Sequence, residues 1–137
     1  MEAVELRYVT DIREWWPVIK PGIERVLKRQ EYDAFPEDVY LALRNGTAQL
    51  FVALVFNRYD GFVICRREDR VDGSYLFLWM AYTPTSGVAD IVFPKLREIA
   101  KSGGMKKIQF ATSRKGWERL GADFGFKRAM TIYEAEV

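Results

Sequence analysis

Three apolar runs in close succession, residues 50–56, 62–65 and 75–82, do most to limit what this chain can fold into. Their lengths suit strands rather than helices. Turn signals at Asp60-Gly61 and Asp72-Gly73 divide them, and strands joined by connections this short pair antiparallel. The second and third runs are almost unbroken in apolar character, the pattern of strands covered on both faces, so helices are expected on both sides of the sheet. After Pro84 the pattern changes. Ile91, Leu96 and Ile99 mark a helix that runs to Ser102-Gly103-Gly104, and residues 106–112 then read as a strand through Ile108 and Phe110. Such a strand-helix-strand connection makes the strand that begins at Lys106 parallel to the one that ends near Tyr82, with a right-handed crossover.

The flanks add the remaining elements. Residues 5–10 alternate as a short first strand. Asp11, with Glu14 three residues on, has the form of a capping box that opens a helix. Pro21-Gly22 is expected to break that helix, with Ile23, Val26, Leu27 and Gln30 resuming it as a second piece. A polar loop at Glu31-Tyr32-Asp33 leads to Pro36 at a first helical position, and Val39, Tyr40 and Leu43 give this helix an apolar face that ends at Asn45-Gly46. Near the other end a helix from Arg114 to about Phe124 stops at Gly125, and residues 126–137 alternate as a last strand. The expected layout is β-α-α-β-β-β-α-β-α-β. It amounts to one α/β (α+β) domain over residues 1–137, with a mixed, mostly antiparallel sheet of about six strands.

Composition removes several kinds of chemistry. The sequence has no histidine, which excludes Ser/His and Cys/His nucleophilic sites and imidazole-based zinc sites; no metal is expected. Cys65 is the only cysteine and lies in the run Phe62-Val63-Ile64-Cys65, where it is expected to serve as a small core hydrophobe. A net charge of +2 does not supply the concentrated basic surface that nucleic acid requires. No apolar run approaches the roughly 20 residues needed to span a bilayer. Met1-Glu2-Ala3-Val4-Glu5 lacks the form of a secretion signal, so a cytoplasmic location is expected.

Three segments carry a resemblance. Met80-Ala81-Tyr82-Thr83-Pro84 closes the third apolar run, Gly87-Val88-Ala89 opens the following helix, and Leu120-Gly121-Ala122-Asp123-Phe124-Gly125-Phe126 leads into the last strand. Set in this order of elements, over essentially the whole chain, they resemble the GNAT superfamily of N-acetyltransferases. The resemblance implies an acetyl-CoA-dependent N-acyltransferase acting on an unidentified amine. It implies that the backbone of Met80, Ala81 and Tyr82 holds the pantetheine arm, and that Thr85, Ser86, Gly87, Val88 and Ala89 cradle the pyrophosphate. A helix N-terminus offers unpaired N–H groups and partial positive charge, both suited to phosphate. It also places Trp15, Trp16, Tyr32 and Phe35 on the acceptor side of the cleft, and it implies that the strands beginning near Ser74 and Lys106 splay apart towards Tyr82.

The chain departs from the family pattern at identifiable positions. The family loop carries Arg or Gln, two residues, Gly, one residue, then Gly or Ala; Gly87-Val88-Ala89 matches its tail, while Pro84 stands at the Arg/Gln position of a shortened loop. Gly121 occupies the place of the tyrosine that protonates the departing thiolate, and no carboxylate lies between Ser74 and Thr83. The proton donor is accordingly assigned to Tyr82 first and Tyr133 second. Lys95, Arg97, Lys101, Lys106, Lys107, Arg114 and Lys115 gather around the crossover helix and the start of the last one, where solvated faces or phosphate contacts account for them. The alternative reading is a catalytically inactive GNAT-fold binding or assembly protein of the kind found among bacteriophage genes, acting as a homodimer or with a protein partner.

Overall fold

Alternation at the start of the chain forms β1 (Val4–Tyr8), which pairs antiparallel with β2 (Gln49–Val55). β3 (Arg58–Arg70) and β4 (Gly73–Tyr82) continue the antiparallel meander. β5 (Lys107–Phe110) lies parallel to β4, so the sheet runs β1-β2-β3-β4-β5. The computed structural model describes residues 3–29, 34–112 and 121–137.

On one face lie α1 (Ile12–Arg29) and α2 (Pro36–Arg44), and on the other α3 (Ala89–Ser102). Ile19, Ile23 and Val39 meet Leu50, Val52, Phe62, Ile64 and Met80 in the first core. Val88, Val92, Phe93 and Leu96 meet Val63, Cys65, Leu76 and Leu78 in the second. The unbroken apolar runs thus have the cause the sequence proposed, burial on both sides. Residues 114–120 of the expected last helix lie outside the described residues; a helical turn at residues 121–123 ends at Gly125, whose φ is +82°.

Three expectations are corrected. α1 is one helix, not two, although Pro17 and Pro21 stand inside it. Both prolines point outward while Ile12, Ile19, Gly22, Ile23 and Val26 are buried, so packing of one continuous face overrides the local loss of two N–H donors. The β2–β3 turn falls at Phe56-Asn57, both with left-handed φ (49° and 64°), rather than at Asp60-Gly61. The latter pair forms a bulge within β3: Val52 pairs with Phe62 and Leu54 with Tyr59, leaving two β3 residues against one. Gly61 is needed there because a Cβ would collide with the carbonyl oxygen of Tyr82, and its φ is +123°. Finally, the sheet has five strands instead of six among the described residues, since 126–137 joins no ladder. Phe126 is drawn onto Phe93 and Phe110 instead, and Met130, Ile132 and Tyr133 beyond it are exposed.

Candidate active site

A second bulge shapes the middle of the sheet. Cys65 pairs with Leu78 but Ile64 pairs with Met80, so Trp79 is an extra residue on β4. Leu78 packs into the α3-side core, whereas Trp79 and Met80 both face the α1/α2 side. A bulge bends its strand and sharpens its twist, and the β4–β5 ladder ends at Leu78 paired with Phe110, one residue before it. From residue 80 to 82, β4 pairs with β3 on one side and, among the described residues, with no strand on the other. The two parallel strands therefore part at the end near Tyr82, as expected. Solved structures superpose on this chain over nearly their whole length. A ribosomal-protein-alanine N-acetyltransferase from Brucella melitensis biovar Abortus 2308 superposes with a TM-score of 0.73 at 17% identity, covering 99% of this chain and 100% of that one. A possible acetyltransferase from Clostridium difficile 630 gives 0.75 at 13% identity, with 99% of both chains covered. The chain has the GNAT fold.

A predicted acetyltransferase with acetyl-CoA from Clostridium acetobutylicum matches at a TM-score of 0.69 and 18% identity, over 97% of this chain and 96% of that one. The sequence itself matches no family model and no curated protein.

Within the GNAT fold, the free edge of β4 leads through residues 83–88 to the start of α3. Val88 is fully buried beneath the first turn, which anchors the helix end. The Val88 N–H reaches the Thr85 carbonyl at 3.4 Å, while among the described residues the N–H groups of Gly87, Ala89 and Asp90 find no acceptor. Gly87 adopts φ +89° with open space where a side chain would stand. These donors can take an anion. Two features oppose it: Pro84 adds no N–H, and Asp90 puts a carboxylate in the same first turn. The basic residues named in the sequence do not converge here. Lys101 is in the last turn of α3, Lys106 pairs with Asp72 at 3.2 Å, and Arg97 stacks over Phe126. Arg114 and Lys115 lie outside the described residues.

On the α1/α2 side the structure separates the residues that the sequence grouped together. Trp15 packs against Tyr59 of β3, ring centroids 6.2 Å apart, but Trp16 turns the other way onto Tyr40, 4.9 Å away. Trp16 and Tyr40 line a groove of about 280 Å³ between α1 and α2, with Arg13, Lys20 and Glu37. Phe35 is 72% exposed at the start of α2, where its N–H donates to Asp38 Oδ2 at 2.7 Å. Tyr32 lies outside the described residues. Tyr82 is half-buried, its ring 5.9 Å from that of Phe62 and its carbons 2.8 Å from where a Cβ on Gly22 would sit. Tyr133 is 90% exposed on the C-terminal segment.

Three residues of this region went unnoticed in the sequence. The hydroxyl of Tyr59 is buried without a partner among the described residues; burial, then the neighbouring Tyr82 and Asp60, push its phenol well above the ordinary tyrosine range. Asp60 lines a groove of about 600 Å³ with Val55, Phe56, Arg58 and Thr85, and so brings a carboxylate beside the loop that follows β4. Arg66 lies over the rings of Phe77 and Trp79, next to the bulge. Neither bulge has a sequence signature strong enough to have placed these side chains. Among the described residues no His, Cys, Asp and Glu cluster could hold a metal ion, and no helix is long and apolar enough to cross a membrane.

Proposed function

We propose that the protein is a GNAT-type N-acetyltransferase that transfers an acetyl group from acetyl-CoA to an amine. The observation that supports this reading is the edge of β4 at residues 80–82, which among the described residues pairs with β3 alone and leads on to the free N–H groups at the start of α3. Backbone groups of Met80, Ala81 and Tyr82 would hold the amide-bearing arm of the donor, and amides within residues 85–89 its phosphates. The donor supplies an acyl group already activated as a thioester. The chain supplies position, which for direct attack by an amine is the larger requirement. β4 carries no carboxylate, so the amine must reach the site unprotonated or give its proton to water. Tyr82 is the proposed proton donor to the departing sulfur, with the protonated Tyr59 as its neighbour. Tyr133, on its exposed segment, is not needed for this assignment. The reading includes a cytoplasmic location.

The second reading, an inactive binding or assembly protein on the same fold, draws support from Gly121. That residue is buried, a Cβ there would meet Phe126 Cβ at 3.4 Å, and glycine supplies no hydroxyl to protonate a departing thiolate. The experiment is a thermal melt with and without acetyl-CoA, run beside an acetyl-transfer assay on a panel of amines. A ligand that binds only the native state raises its melting temperature. Stabilisation together with turnover supports the enzyme; neither stabilisation nor turnover transfers the case to the assembly reading.

A further inference from the structure

The arginines of the β3–β4 hairpin divide into two kinds. Arg67 binds Asp69, and Arg70 binds Glu68 at 2.8 Å while lying over Tyr75. Arg66, between them and the bulge, has no carboxylate partner among the described residues. Glu68, two residues along the same strand, is committed to Arg70. The Arg66 guanidinium is held instead by aromatic faces, 5.2 Å from the Phe77 centroid and 5.1 Å from that of Trp79, and its Nε is buried without any acceptor. Stacking fixes the plane of the group but satisfies none of its N–H donors. The side chain is only half-buried, so the outer edge of the fork faces solvent. It does so on the α1/α2 side, at the rung where Arg66 meets Phe77, two residues before the extra Trp79.

We propose that Arg66 is the anion anchor for the acceptor, and that the acceptor is an amine carrying a carboxylate. The proposal rests on the acetyltransferase reading and narrows its substrate class. A guanidinium edge matches the two oxygens of a carboxylate. One unpaired positive charge suits a monoanion, because the neighbouring Arg67, Arg70 and Lys106 are already neutralised by Asp69, Glu68 and Asp72. A phosphate dianion would call for a second free cation, and the other arginines of the hairpin, Arg67 and Arg70, are taken by Asp69 and Glu68. Along β3, Arg66 stands two residues from Ile64, the partner of Met80, roughly 7 Å at 3.3 Å per residue. Amine and carboxylate should therefore be separated by several bonds.

The probes are a ladder of ω-amino carboxylates from glycine to 6-aminohexanoate, each with its amide and its phosphonate analogue. Melting temperature without acetyl-CoA reads binding; KM and kcat for acetyl transfer are read separately. At least one carboxylate should stabilise the wild-type protein, and the Arg66→Gln variant should lose that shift. KM for the same acid should rise at least tenfold in Arg66→Gln with kcat changed less than threefold, whereas Arg66→Lys should retain part of the binding. The amide should behave alike in all three proteins. The proposal is overturned if no carboxylate stabilises the protein, if amides or phosphonates do as well as the acids, or if Arg66→Gln binds normally. Turnover without carboxylate preference would remove the anchor and leave the acetyltransferase. Arg66-dependent binding in a protein that neither binds nor consumes acetyl-CoA would do the reverse.

Discussion

Gly22 shows how much can depend on a missing side chain. A methyl group there would stand 2.8 Å from both Phe62 and Tyr82, inside van der Waals contact and against rings packed between a helix and a sheet. Gly22→Ala is expected to destabilise the fold by about 1–3 kcal/mol, through overpacking, as measured by denaturant unfolding. The hydroxyl of Tyr82 can be tested without disturbing this contact: Tyr82→Phe keeps the ring, and in an active enzyme it should lower kcat by ~10²-fold, a typical value for general acid assistance. Cys65 was legible as a core residue because it stands in an apolar run, and burial pushes its thiol up to about 12 from 9.0. The fold thus favours the protonated form. Stability from this group is full below pH 9 and declines as pH rises towards about 12, and iodoacetamide should leave Cys65 unmodified at neutral pH until the protein unfolds. Tyr59 and Arg66 were not legible, because their surroundings come from residues distant in sequence.

Elements reveal where local rules yield to packing. α2 is legible in the sequence because Pro36 and Asn45-Gly46 bracket its apolar face, whereas the continuity of α1 is not, because the cost of its two prolines is offset by the buried face opposite them. In α3, Pro94 is exposed and leaves the Asp90 carbonyl without an intrahelical donor, while Val92, Phe93 and Leu96 carry the packing. Pro94→Ala should accordingly stabilise the protein, by about 1–3 kcal/mol, in the same unfolding measurement. The β3–β4 hairpin carries an acid-sensitive pair. Asp72 accepts hydrogen bonds from Tyr75 and Lys106, and Asp69 from Ser74 and Arg67; these bonds, in that order for each, hold both carboxyls below the ordinary 3.8. Their stabilisation is present above pH 3.8 and is lost as pH falls through the lowered values. Melting temperature followed into acid should show that loss, reduced in Asp72→Asn.

For the whole molecule, element order was the most legible property, since a meander followed by a crossover leaves few arrangements of five strands. The opening between β4 and β5 was anticipated through the family resemblance, but its cause, an extra residue at Trp79, was hidden in a run where every neighbour is apolar. Weak donor binding follows from the same region: Pro84 and Asp90 should keep the acetyl-CoA Kd micromolar or weaker, about 8 kcal/mol or less, by calorimetry. Asp90→Asn, which removes one repulsive charge from the first turn of α3, should tighten it by about two- to fivefold. The extra residue also makes chain length a switch that no substitution can operate. Deleting Trp79 would leave Leu78 facing α3 and Met80 and Tyr82 facing α1, so the pattern of inside and outside survives. The shortened strand could then follow β5 for another rung. Such a protein should fold and melt cooperatively with its sheet closed, and with no gap left to receive a ligand.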